Sequence, residues 1–166
     1  LVAALVFLLT YLPTLIWMTD RWFVRDSYYS HGILVPFVCA YLIWDKRKEL
    51  ADMLPQESVW GIRLIVLGIL IHIFSSLFRI YFTSGFSMLI VLIGLILHFY
   101  GTRIFDKIMF PVAFLSFMIP LPEVVVTTIS FQMKIFAAQI ATLVLNNLRM
   151  PAIREGSLIK MRSAYV

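Results

Sequence analysis

Charge, cysteine and histidine are all scarce in this 166-residue chain. Asp, Glu, Lys and Arg together make up 14% of it, there are three histidines, and Cys39 is the single cysteine. One thiol closes no internal disulfide, so a disulfide scaffold is excluded. No Gly-rich phosphate loop occurs, which removes the soluble nucleotide-binding enzymes. Low charge combined with high apolar content also excludes a disordered chain and a coiled coil. Hydrophobic residues account for 61% of the chain, and its mean hydropathy is +0.93. A globule of this size has too little interior to bury so many Leu, Ile, Phe and Val side chains, so the remainder must face lipid. The net charge of +5 would point to nucleic acid in a soluble protein. Here the basic residues fall between apolar runs, where they set orientation, and the expected partner is the lipid bilayer, with no nucleic acid.

A helix rises about 1.5 Å per residue, so about 20 apolar residues cross a hydrocarbon layer of roughly 30 Å. The candidate spans are 1–19, 28–44, 61–78, 80–100, 104–119 and 124–148. They predict an all-α membrane protein, a polytopic bundle of five to six transmembrane helices over 1–148, with the start of an extracytoplasmic strand segment over 149–166. Only helices satisfy their own backbone polar groups at that depth. Pro13 and Pro36 lie inside the first two spans and are expected to kink them. The first run opens without Met or a basic flank, and 155–166 alternates after a Gly like a strand entered from a turn. Both ends are therefore expected to extend into a longer protein.

Lys46, Arg47, Lys48 and Arg63 flank the second and third spans, which predicts a cytoplasmic loop there. Alternating outward puts six basic residues inside, adding Arg103 and Lys107, against Arg21, Arg25 and Arg79 outside. Trp17, Trp22, Tyr28 and Tyr29 would form an outer aromatic belt, and Trp44 with Trp60 an inner one. The last helix admits two placements. Crossing inward would carry Arg149, Arg154, Lys160 and Arg162 to the basic side. Against that, Thr128, Gln132, Gln139, Thr142 and Asn146 fall within about 80° of one another at 100° per residue, a polar stripe with Lys134 nearly opposite. A helix so marked either lies along the outer surface or faces other helices in a bundle.

Asp26, Tyr29, Ser30 and His31 open the second span and form the first candidate cluster. They either converge as a functional group at the outer mouth of the bundle or are merely solvated at headgroup level. Glu123 follows the Pro120-Leu121-Pro122 turn, where it is either a functional carboxylate or an acid favoured by the helix dipole. His72 and His98 have no His, Cys or carboxylate at the spacing of a metal site, so no metal and no cofactor is expected. His72 with Ser75 and Ser76 reads as an interhelical hydrogen-bond patch. Cys39, between Val38 and Ala40 in an apolar helix, is a poor nucleophile because desolvation suppresses the thiolate. No catalytic residue is assigned.

Three stretches together carry a resemblance: DSYYSHGILVPFVCAYLIW at 26–44, FPVAFLSFMIPLPE at 110–123, and Ala137-Ala138-Gln139 leading to MPAIREGSLIKM at 150–161. In order and spacing they resemble the exosortase family, with Tyr29–Ser30–His31–Gly32, Ile119–Pro120–Leu121–Pro122 and Arg154–Glu155–Gly156 as the specific parts. The resemblance implies a multi-pass protein of the bacterial inner membrane that recognises exported proteins by a C-terminal sorting signal of the PEP-CTERM type. It would cleave that signal by thiolate attack, with the active face extracytoplasmic. The family's nucleophile belongs to an Ala-Cys-Ser-Gly motif, which this sequence does not contain, and Cys39 lies in another context. The chain itself is therefore expected to be inactive and to supply scaffold and part of a substrate groove, with Asp26, Tyr29, Ser30, His31 and Glu123 as groove candidates. The resemblance also favours an outer placement for 150–166. Two other readings remain: part of a small secondary transporter with Asp26, His31 and Lys134 lining a path, or a non-catalytic membrane scaffold.

Overall fold

The computed structural model of the chain describes residues 2–24, 28–148, 150 and 152–161. The contacts divide it into two units, Leu1–Pro120 and Leu121–Val166. In the first, helices α1 (Val2–Phe23), α2 (Leu34–Asp45), a short α3 (Arg47–Ala51), α4 (Val59–Leu77), α5 (Tyr81–Phe99) and α6 (Gly101–Phe114) follow one another. A 3-10 turn, Ser30–Ile33, leads into α2, and another, Leu115–Met118, continues from α6. The second unit holds α7 (Glu123–Asn147) and a hairpin of β1 (Ala152–Glu155) and β2 (Leu158–Met161).

This is an all-α membrane protein. Helices α1, α4, α5 and α7 are each long and apolar enough to cross a bilayer, and Ser30–Asp45 is a shorter apolar helix. The decisive observation is what each helix hides. On α4 the buried residues are Gly61, Gly68 and Ser75, while Ile62, Val66, Leu67, Ile69, Leu70, Ile73 and Phe74 are exposed. In water that distribution is inverted; in lipid it is the expected one, because tails are as apolar as Leu and helices associate through small residues.

The three small residues of α4 recur every seventh position and face α5. A Cβ on Gly61 would meet the His98 backbone nitrogen at 2.5 Å, and one on Gly94 would meet the Gly61 carbonyl at 2.9 Å. Backbones thus touch directly, and α4 and α5 form the most extensive pairing in the unit. The turn between them is a Schellman motif: Ile80 N–H donates to the Ser75 carbonyl at 2.9 Å and Arg79 N–H to the Ser76 carbonyl at 3.3 Å. Arg79 occupies the left-handed position with φ +55°, where glycine is usual.

Around α5, the central helix, α1 buries Tyr11, Thr14, Met18 and Trp22 on one face. With Val35, Cys39, Met88, Leu89, Val91, Met118 and Ile119 these form the main core. Ile104, Ile108 and Val112 of α6 make a second cluster, against which Ile43 and Leu50 pack. At that end Lys46 Nζ donates to the Lys107 carbonyl at 2.7 Å, and Lys107 pairs with Glu49. Pro13 lies within α1, as the sequence reading placed it. Pro36 does not interrupt a helix. The second span begins as a 3-10 turn and α2 starts only at Leu34, so Pro36 sits in the first turn, whose N–H groups need no intrahelical partner.

In the second unit, Ala152 pairs with Met161 and Glu155 with Leu158 in an antiparallel register. Gly156 takes φ +64° at the first position of the two-residue turn, the place a type II′ turn reserves for glycine. The Ala152 N–H donates to Asn146 Oδ1 at 2.9 Å, which ties the hairpin to the end of α7. A strand after Gly156 agrees with the sequence reading, whereas its partner β1 was not foreseen.

Candidate functional site

Tyr29, Ser30 and His31 lie together on and beside the 3-10 turn that precedes α2, with Ser30 and His31 exposed and Tyr29 half-buried. The Tyr29 and His31 rings are 6.3 Å apart. The turn closes through Gly32 N–H to the Tyr29 carbonyl at 2.8 Å. Gly32 is required by close approach, since a Cβ there would lie 2.2 Å from Trp22 Nε1. That same nitrogen donates to the Met118 carbonyl at 2.9 Å. Trp22 therefore clamps two separate motif stretches, Tyr29–Gly32 and the turn ending in Ile119 and Pro120, both of which are buried. A polar turn is thereby held rigidly on an apolar support, an arrangement able to present hydrogen-bonding groups to an extended chain. Asp26 lies outside the described residues.

Glu123 stands in the first turn of α7, where its charge complements the helix dipole. Further along, Gln139, Thr142, Asn146 and Asn147 line a shallow groove of about 370 Å³ with Arg154 of β1. Three of the five stripe residues, Gln139, Thr142 and Asn146, therefore edge a concave surface. Its hydroxyls are tied down: Thr128 and Thr142 donate to the carbonyls of Val124 and Ala138 at 2.7 Å each. Arg154, Glu155 and Gly156 form the end of β1 and its turn, with Glu155 paired to Lys160. Cys39 is 2% exposed within the main core, beyond the reach of a substrate carbonyl. Among the described residues no three His, Cys, Asp or Glu side chains gather as metal ligands.

The sequence reading missed a second polar cluster, buried among α1, α4 and α5. Tyr11 Oη and Ser87 Oγ are 3.1 Å apart, Thr14 Oγ1 and Ser84 Oγ 2.6 Å, and His72 Nδ1 and Ser84 Oγ 2.9 Å. The Tyr11 ring packs against the imidazole with centroids 4.4 Å apart. His72 thus bonds across to α5, in keeping with the interhelical patch read from the sequence, though its partner is Ser84 and Ser75 Oγ stays outside the bond. Tyr11 with Thr14, and Ser84 with Ser87, are polar pairs at i and i+3 within apolar runs, which was the available signal.

A family model described as transmembrane exosortase matches residues 17–166. Comparison with curated proteins and comparison with solved structures each found no match.

Proposed function

The chain belongs to the transmembrane exosortase family, and from that membership we propose that it forms the membrane scaffold and part of the substrate groove of an enzyme that processes exported proteins. The substrate class is a protein bearing a C-terminal sorting signal of the PEP-CTERM type, and the groove opens on the extracytoplasmic face of the bacterial inner membrane. In the reaction, a cysteine thiolate attacks the scissile carbonyl, a thioester forms, and the amine of the departing segment takes up a proton. Cationic side chains stabilise the oxyanion. Residues 1–166 contain no Ala-Cys-Ser-Gly motif, so they contribute recognition and position rather than the nucleophile.

The observation that carries this reading is the Trp22 clamp. It joins two of the three motif stretches that mark the family resemblance and leaves Ser30 and His31 exposed beside Tyr29. Hydrogen bonds from such a turn to a peptide backbone are worth about 1 kcal/mol each, rising to about 1.5–3 if a charged group takes part. Processing of an exported reporter carrying the sorting signal, followed by its change in size, tests the proposal in the full-length protein. Substituting the cysteine of the Ala-Cys-Ser-Gly motif should abolish processing. His31→Ala should slow it about tenfold with membrane insertion retained. Wild-type rates in His31→Ala would remove this turn from the groove, and no processing by the parent protein would remove the enzymatic reading.

A further inference from the structure

A cleft of about 210 Å³ opens at the α4–α5 turn, lined by Thr14, His72, Ser75, Arg79, Tyr81 and Ser84, among others. Its most telling group is Ser75. That residue is 1% exposed, and its Oγ is the one buried side-chain polar atom without a hydrogen-bond partner among the described residues. An orphaned buried hydroxyl costs free energy comparable to a lost hydrogen bond, and it lines a space into which it can donate. Nearby, Thr14, Ser84 and His72 share two hydrogen bonds among three groups that each carry one hydrogen when the imidazole is neutral. With His72 protonated on Nδ1, one hydroxyl hydrogen of this chain is left over; with Nε2 protonated, both hydroxyl hydrogens are used within it.

The charge at this place is positive. Arg79 lines the cleft and makes no ion pair among the described residues. Its backbone is held at φ +55° although glycine would fit without strain, so the side chain is kept where the backbone disfavours it. The start of α5, with no side-chain cap, adds the positive end of a 19-residue helix dipole. The α4 carbonyls that would repel an anion are already engaged, since those of Ser75 and Ser76 accept the Schellman bonds. Along the end of α4 and the connection to α5, Ile73, Phe74, Leu77, Phe78 and Ile80 are exposed apolar residues.

The geometry points to a site for a phosphate oxyanion: Arg79 supplies the charge, Ser75 and, with His72 protonated on Nδ1, the Thr14–Ser84–His72 chain supply donors, and the exposed apolar residues of the α4–α5 connection face acyl chains. A turn between two membrane spans lies at headgroup depth, so the phosphate is that of a lipid or one free in solution. This site is separate from the Trp22 clamp and does not depend on the enzymatic reading.

Arg79→Gly makes the test clean, because glycine relieves the left-handed backbone while deleting the charge. The full chain in detergent micelles is titrated with phosphatidylglycerol, with diacylglycerol of matched acyl chains, and, by equilibrium dialysis, with inorganic phosphate. Phosphatidylglycerol should bind at least about tenfold more tightly than diacylglycerol, and Arg79→Gly should remove that preference while Arg79→Lys keeps most of it. Ser75→Ala should weaken binding several-fold without lowering the unfolding temperature, whereas a purely structural serine would lower it. Inorganic phosphate binding that Arg79→Gly abolishes, without lipid preference, supports the site with a soluble ligand. Equal binding of diacylglycerol and phosphatidylglycerol with no phosphate uptake, or wild-type binding in Arg79→Gly, overturns it.

Discussion

A methyl group at Gly32 would lie 2.2 Å from Trp22 Nε1, so Gly32→Ala forces the indole off its bond to the Met118 carbonyl. The expected destabilisation is about 2–4 kcal/mol, overpacking and the lost hydrogen bond combined, read as a lower unfolding temperature in detergent with altered tryptophan emission. Glu49 supports a second prediction. Its hydrogen bond and charge pairing with Lys107 hold its carboxyl below the ordinary value of 4.5. A carboxylate lowered in the folded state stabilises it fully above the unfolded value and ceases to do so as pH falls through the folded value. The stability difference between wild type and Glu49→Gln should therefore be constant near neutrality and vanish with acidification below about 4.5; a difference that grows on acidification would contradict the pairing. At this scale the sequence disclosed Tyr29, Ser30 and His31 as neighbours, since they are adjacent in the chain. It did not disclose Trp22 and Met118, 96 residues apart, because a side-chain bond to a backbone carbonyl leaves no compositional trace.

Among the elements, α4 and α5 are held by backbone contact, which sets a strict limit on volume. Gly61→Val would place methyl groups against the His98 nitrogen and the Gly94 carbonyl, neither of which can swing aside as a side chain does. A loss of about 3 kcal/mol or more is expected, seen as a large fall in unfolding temperature. Gly156→Ala is the contrasting case. Nothing lies within 4 Å of its added Cβ, and only the positive φ is violated, so about 1–2 kcal/mol should be lost and confined to the hairpin. Helix positions were largely legible from hydropathy: the spans read at 61–78, 80–100 and 124–148 correspond to Val59–Leu77, Tyr81–Phe99 and Glu123–Asn147. The span read at 28–44 was placed too early because Tyr28 and Tyr29 weigh as apolar while the chain there forms a 3-10 turn. β1 escaped notice because four residues, Ala152–Glu155, gain their strand geometry from pairing with β2 rather than from their own pattern.

For the molecule as a whole, the basic cluster at Lys46, Arg47 and Lys48 predicts that the α2–α4 connection is cytoplasmic. Lys48→Cys in a Cys39→Ser background should resist an impermeant maleimide in intact cells and react once the membrane is permeabilised; labelling in intact cells would invert every span. Cys39→Ser is expected to be tolerated at modest cost, replacing a small buried thiol by a group of similar volume. The membrane class was legible from composition alone, but the packing was not, because average hydropathy treats Gly61, Gly68 and Ser75 as weak points in a span when they are its contact face. That inversion reverses the usual map of mutational tolerance. In a saturation library, Ile62, Val66, Ile69 and Ile73 should accept nearly any other apolar side chain, as each merely dissolves in acyl chains. Variants at Gly61, Gly68 and Gly94 should be depleted from the surviving pool, so that the least bulky letters of the sequence are its least replaceable ones.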